Sequence, residues 1–116
     1  MGTRCVVTFK GGSGEQAFYS VYKHWDGNPS NILELLNKAK DYAWKLPRFE
    51  ASEFACAFIV AAKHAEGDVY LTSCSDAHGD LSYSYYVSVK DGKLFVTAYD
   101  FRGATVYNDF LDKVIA

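Results

Sequence analysis

Apolar and polar side chains alternate along the first part of the chain, which is the pattern of β-strands. Residues 4–10 (RCVVTFK) and 15–25 (EQAFYSVYKHW) are rich in β-branched and aromatic side chains, and the GGSG segment at 11–14 is typical of a turn. We therefore predict that these two strands form an antiparallel hairpin. Alternation divides the second strand into two faces, one with Phe18, Ser20, Tyr22 and His24 and the other with Tyr19, Val21, Lys23 and Trp25.

Apolar residues take up helical spacing after this hairpin. Pro29 favours the first turn of a helix, and the apolar positions that follow it predict a helix over 30–45. Pro47 separates this helix from a second helical pattern. We predict the second helix over 51–66, because Gly67 is a typical residue to follow a helix end.

The last third of the chain returns to strand patterns. Asp91-Gly92 lies between two alternating runs, and this dipeptide is the strongest short-range signal of a hairpin. From Thr105 to Ile115 the apolar residues recur with helical spacing, so we predict a short final helix. The predicted strands of this region are 69–74, 81–90 and 93–101.

The order of elements along the chain is therefore ββααβββα. A chain of 116 residues has the size of one domain, so we predict a single α+β domain over 1–116. Strands joined in hairpins, with helices grouped together, favour a two-layer sandwich. We expect a mainly antiparallel five-stranded sheet with the helices on one face.

Composition and charge narrow the classes of partner. The net charge of −2 argues against broad electrostatic binding to nucleic acid, although a local basic patch escapes such a count. Aromatic residues make up 16% of the chain, which is more than two helices cover on a sheet of this size. Because a large exposed aromatic surface favours association, we predict a homodimer.

Targeting signals and cysteine spacing give further expectations. The start, MGTRCVVTFK, does not follow the pattern of a secretory signal, and the longest apolar run, at 57–62, is too short to span a membrane. We therefore expect a cytoplasmic protein. The three cysteines have no CxxC spacing, and Cys5 and Cys56 lie in apolar patterns, which predicts reduced, buried thiols.

Two short motifs carry the candidate chemistry. His24-x-Asp26 follows the second strand and His78-Gly79-Asp80 precedes the fourth, so each places an imidazole and a carboxylate two residues apart at a strand end. Together they have the donor types for Zn²⁺ or Mn²⁺, or for a histidine base oriented by an aspartate. The alternative is that both motifs are turns, in which the aspartate accepts a backbone N–H and the glycine tolerates a positive φ. The sequence therefore assigns no metal ligand and leaves the cofactor open.

Arg4 is the fifth candidate, because a guanidinium at a sheet end is suited to clamping a carboxylate or a phosphate. If the second and fourth strands are antiparallel neighbours, the two histidine motifs meet and Arg4 approaches them from the first strand. We therefore predict a binding site formed by Arg4, His24, Asp26, His78 and Asp80.

Three segments of the chain together resemble an uncharacterised family of small bacterial, archaeal and phage proteins. They are TRC at 3–5, YKHWDGNP at 22–29 and HGDLSYSY at 78–85, and the resemblance covers most of residues 1–100 in order. The family has no assigned activity, so the resemblance implies the choice of site residues and a phage or bacterial origin but no reaction. Asn28 stands where the family commonly has tyrosine.

Two functions remain open from the sequence. The first is a module that binds a small polar ligand or a protein partner through the aromatic and His/Asp/Arg-lined end of the sheet. The alternative is a small His/Asp-dependent hydrolase, with or without a metal ion. The sequence favours the binding module, because it contains no motif of an activated nucleophile.

Overall fold

The computed structural model describes residues 3–11, 18–65, 67–73 and 80–111. They form an α+β fold with two helices and six strands, which confirms the predicted class. The first two predicted helices and the five predicted strands are present with shorter bounds. The elements are β1 (Cys5–Lys10), β2 (Phe18–Lys23), α1 (Pro29–Ala39), α2 (Ala51–Lys63), β3 (Val69–Thr72), β4 (Tyr83–Lys90), β5 (Lys93–Asp100) and β6 (Thr105–Phe110).

The predicted helix at the end of the chain is wrong, because residues Thr105–Phe110 form the sixth strand. This strand pairs antiparallel with β5. The register of the pair shifts between Ala98 and Tyr99 of β5. The strand starts with the β-branched and aromatic run TVY, and the free edge of β5 supplies backbone partners that an isolated short helix lacks. Residues 112–115 of the predicted helix lie outside the described residues.

The first helix is also shorter than predicted, because it ends at Ala39 instead of continuing to residue 45. The N–H of Trp44 donates to the Glu53 carboxylate at 3.1 Å instead of continuing the hydrogen bonds of the helix. The chain leaves the helix earlier, where the N–H groups of Lys40, Asp41 and Tyr42 donate to carbonyls three residues back, and the Glu53 side chain of α2 then binds it at Trp44. Alternating hydrophobicity alone does not reveal this contact.

The sheet has the strand order β3-β2-β1-β4-β5-β6. β1 and β4 are parallel and the other four neighbouring pairs of the described strands are antiparallel, so the sheet is mainly antiparallel as predicted, but it is mixed and has six strands instead of five. The meeting of the two histidine motifs was predicted on the condition that β2 and β4 are antiparallel neighbours, and this condition is not met, because β1 lies between them. Cys5 is level with Lys23 of β2 and Tyr83 of β4, and Lys23 is level with Val69 of β3. The end of β2 and the starts of β1, β3 and β4 therefore lie together at one end of the sheet. We call this row of strand ends the shared edge.

The core lies between the helices and one face of the sheet. Phe9 of β1 packs against Phe54 and Phe58 of α2, with ring centroids 5.8 and 5.5 Å apart. Along each strand, side chains that point into this core alternate with side chains that point to the opposite face of the sheet, which we call the outer face. Residues of the outer face include Val6, Thr8, Ser20, Tyr22, Tyr86 and Tyr99.

The cysteines and the length of the helices complete the description of the fold. Cys5 of β1 is reduced and buried as predicted, whereas the reduced thiol of Cys56 is exposed, because it lies on the side of α2 that faces away from the core. Neither helix of the described chain is long and apolar enough to cross a membrane.

Candidate functional site

The shared edge of β1, β2, β3 and β4 gathers three of the predicted site residues. Arg4 directly precedes β1, His24 directly follows β2, and Asp80 lies shortly before β4. The pairing of Cys5 with Lys23 places Arg4 and His24 opposite each other at the next position, and the parallel pairing of β1 with β4 places Asp80 on the other side of Arg4. Arg4 therefore occupies the middle of this edge.

Arg4 and Asp80 form an ion pair, with Nη1 of the guanidinium 2.5 Å from Oδ2 of the carboxylate. The main-chain carbonyl of Arg4 also accepts from the N–H of Ser82 at 2.8 Å, so the backbone fixes the approach of the chain that carries Asp80. The two side chains are 35% and 63% exposed. Because the pair uses one nitrogen of a group with five N–H donors, the partly exposed guanidinium has donors beyond the one bound to Asp80.

Tyr22 and His24 form the second half of the cluster. The Tyr22 hydroxyl and Nδ1 of His24 are 2.9 Å apart, within hydrogen-bond distance. Burial raises the pKa of Tyr22; the Arg4 charge opposes this shift, while Tyr70 and Asp80 add to it. The hydroxyl therefore keeps its proton at neutral pH and lies within electrostatic range of the ion pair.

Aromatic rings continue the cluster along the same edge. The rings of Tyr22 and Tyr70 are 4.9 Å apart, and the ring of His24 meets Trp25 edge-on at 4.6 Å. Trp25 Nε1 donates to the Asp68 carboxylate at 3.1 Å, which holds the indole against the start of β3. Tyr70 and Trp25 are 51% and 41% exposed, so apolar surface borders the polar groups.

Asp26 occupies a turn and is not brought into the ion-pair cluster. Its backbone is in the left-handed region, with φ of 53°, and its main-chain carbonyl accepts from Asn31 Nδ2 at 2.7 Å. On extended backbone, residues two apart such as His24 and Asp26 would point to the same side. β2 ends at Lys23, so the chain has already left the strand when it reaches Asp26.

The turn is docked onto the sheet by Gly27 and its neighbours. The Gly27 N–H donates to the carbonyl of Thr3 at 2.8 Å, and the hydroxyl of the buried Tyr85 donates to the Gly27 carbonyl at 2.5 Å. A Cβ at Gly27 would lie 2.7 Å from the Thr3 carbonyl oxygen and 2.8 Å from Cys5 Cβ. The position therefore needs glycine because the two segments approach closely.

The buried Lys23 fixes the same turn from its other side, since its Nζ donates to the carbonyl of Trp25 at 2.5 Å.

The remaining predicted site residue, His78, lies outside the described residues, as does Cys74. Within the described ranges, no group of three or more His, Cys, Asp or Glu side chains is placed to hold a metal ion. The two-His, two-Asp set considered from the sequence depends on His78.

Sequence reasoning left several members of this cluster out of the predicted site. Tyr22 was detectable, because it lies two residues before His24 on the same face of a strand. Tyr70 and Asp68 were not detectable, because their place beside His24 depends on the pairing of β2 with β3. The hydrogen bond between the His24 N–H and the Asp68 carbonyl, at 3.1 Å, extends this pairing to the site.

Comparison with protein-family models, with curated proteins and with solved structures finds no match to this chain. The resemblance to the small-protein family therefore stays a prediction.

Proposed function

We propose that this protein is a binding module whose ligand is a small anion with a carboxylate or phosphate group. The observation that carries the proposal is the position of Arg4, whose half-exposed guanidinium holds Asp80 through one nitrogen at the shared strand edge. A planar guanidinium with remaining N–H donors recognises carboxylate or phosphate oxygens in a bidentate manner.

The neighbours of Arg4 supply the other elements of recognition. The Tyr22 hydroxyl and the His24 imidazole offer a donor and acceptor pair that adapts to the ligand, since a histidine ring nitrogen either accepts or donates. Tyr70 and Trp25 present exposed ring surface for an apolar part of the ligand. A ligand anion replaces or shares the contact that Asp80 makes with Arg4.

The predicted alternative, a small hydrolase, requires an imidazole activated by a carboxylate or a metal ion. Within the described residues, the His24 ring lies within hydrogen-bond distance of the Tyr22 phenol, which favours binding over catalysis. A protein partner that presents a carboxylate satisfies the same site. The predicted homodimer also stays part of this proposal, with light scattering at high concentration as its test.

The experiment is an NMR titration of the ¹⁵N-labelled chain with succinate, inorganic phosphate and phosphoserine. We expect amide shifts at the shared edge, around Arg4, His24, Asp68 and Asp80, and their loss in Arg4→Gln. Arg48→Gln is the matched control, because its guanidinium stacks on the Trp44 ring at 3.7 Å, outside the cluster. Shifts that persist in Arg4→Gln, or no shift with any of the three anions, overturn the proposal.

Turnover separates the binding module from the hydrolase. Ester and phosphoester substrates are incubated with the chain, with and without Zn²⁺ or Mn²⁺. Hydrolysis that disappears in His24→Gln, with folding intact by circular dichroism, replaces the binding proposal by the hydrolase. No hydrolysis, together with the anion shifts, supports the binding module.

A further inference from the structure

A second candidate site lies on the outer face, across β4 and β5. It is a concavity of about 410 Å³, which is within the usual range for ligand pockets. We call it the lysine concavity, and its lining residues are Lys10, Tyr86, Ser88, Lys90, Phe95, Thr97 and Tyr99.

The charge of this lining is positive. Lys10 and Lys90 are exposed, and Lys90 Nζ lies 4.0 Å from the centre of the Phe95 ring. Lys93 is the register partner of Lys90, which adds a third exposed ammonium at the same end of the strands. The described lining residues include no carboxylate, although the whole chain carries a net charge of −2. The concavity is therefore a local site for negative charge.

The floor of the concavity is aromatic. Tyr86 of β4 meets Tyr99 of β5 edge-on at 5.9 Å, and Tyr86 is level with Thr97, between Tyr99 and Phe95. All three rings are partly exposed. Tyr99 and Phe95 are four residues apart on one strand, which spreads the rings over about 14 Å. This spread exceeds the footprint of one base.

We propose that the lysine concavity binds single-stranded nucleic acid, with bases stacked on the tyrosine rings and phosphates paired with Lys10 and Lys90. Half-exposed rings on a sheet accept unpaired bases, and flanking ammonium groups neutralise the backbone. Paired bases in a duplex have no free face to offer these rings. A single nucleotide occupies only part of the ring surface and carries fewer phosphates.

This site is separate from the anion site at the shared strand edge. Arg4 directly precedes β1 and Lys10 is its last residue, and their separation of six residues corresponds to about 20 Å. The outer face between them is buried at Val6, Thr8 and Ser20. The proposal therefore does not depend on the anion site, and Arg4→Gln leaves nucleic-acid binding unchanged.

The test is fluorescence anisotropy with a labelled single strand of about 12 nucleotides, between about 50 and about 200 mM salt. We expect the double variant Lys10→Gln/Lys90→Gln to weaken binding at least tenfold at the lower salt. The slope of log K against log salt should fall by about 1.4, because two phosphate contacts are lost. Lys38→Gln/Lys45→Gln removes the same charge from the helical side and should keep both values.

The rings are tested by Tyr86→Leu, which should weaken binding about fivefold or more, since stacking on one ring is lost. Tyr42→Leu, at an exposed ring beside His64, is its matched control. Circular dichroism and thermal unfolding confirm that each variant is folded. The proposal would be overturned if a duplex binds as tightly as the single strand, or if AMP binds and the single strand does not. It would also be overturned if a variant and its control lose binding equally, or if the single strand does not bind at the lower salt.

Discussion

The two Asp-Gly pairs of this chain share a sequence and an aspartate conformation but have different tasks. Asp26 and Asp91 both have a positive φ, of 53° and 54°. Gly92 is also left-handed, with φ of 75°, so Asp91-Gly92 has the two positive φ values that a two-residue hairpin turn requires. Gly27 does not have a positive φ. This position requires glycine because the Thr3 carbonyl and Cys5 lie too close to leave room for a side chain.

The difference shows how a turn becomes part of a site. The hairpin at Asp91-Gly92 connects two neighbouring strands, whereas the turn at Asp26-Gly27 is bound to the start of β1 by the Thr3 carbonyl and to β4 by the Tyr85 hydroxyl. Docking the turn fixes the path of the chain just after His24. The positions of Arg4 and His24 are therefore set by the same contacts.

The largest expected effect separates the two glycines. Gly27→Ala should destabilise the fold by about 2–3 kcal/mol, because its Cβ meets the backbone oxygen of Thr3 and the buried Cys5. Gly92→Ala should cost less, about 1–2 kcal/mol, because the alanine is left-handed and its Cβ would lie 3.2 Å from Pro47 Cβ. Urea denaturation of both variants measures this, and equal losses would mean that the Asp26-Gly27 turn is not docked more tightly than the hairpin.

Tyr85→Phe tests the contact of the same turn with β4. The Gly27 carbonyl loses its buried donor, which should cost about 1–2 kcal/mol in the free energy of unfolding. Tyr86→Phe is the matched variant on the outer face and should change stability by less than about 0.5 kcal/mol. A loss in Tyr86→Phe as large as that in Tyr85→Phe would show that the hydroxyl contact with Gly27 is not what stabilises the turn.

The sequence predicted the elements that depend on local pattern. Both helices, five strands and the Asp91-Gly92 hairpin follow from periodicity and turn chemistry over a few residues. The sixth strand was mistaken for a helix, because Tyr107, Phe110 and Leu111 also fit helical spacing and the edge of β5 that pairs with this segment is far away in sequence. The parallel pairing of β1 with β4 joins residues 78 positions apart, which no local pattern specifies.

The site was predictable to the extent that strand ends are predictable. Arg4, His24 and Asp80 each lie at or near the end of a predicted strand, and the sheet brings those ends to one edge. Asp26 could not be placed, because spacing does not reveal that its backbone turns left-handed directly after β2. Tyr70 enters the cluster only through the position of β3 beside β2.

Alkaline pH should sharpen the comparison of Tyr85 with Tyr86. Burial raises the pKa of Tyr85 above its usual value of about 10, so the folded chain holds the phenol proton more tightly than the unfolded chain. This contribution is complete below about pH 10 and is lost as the pH rises further. Unfolding in urea at about pH 8 and about pH 11 should show a smaller alkaline loss for Tyr85→Phe than for the parent or Tyr86→Phe; equal losses in all three would contradict it.

The smallest expected effect lies within the Asp26-Gly27 turn itself. Asn31→Ala removes the amide that donates to the Asp26 carbonyl, at an exposed position where one hydrogen bond contributes about 0.5–1 kcal/mol. Asn37→Ala, in the last turn of the same helix, gains similar helix propensity without losing that bond. We expect Asn31→Ala to be less stable than Asn37→Ala by about 0.5 kcal/mol in thermal unfolding. Equal stability would mean that the close packing of Gly27, without the Asn31 hydrogen bond, suffices to hold Asp26 in its left-handed conformation.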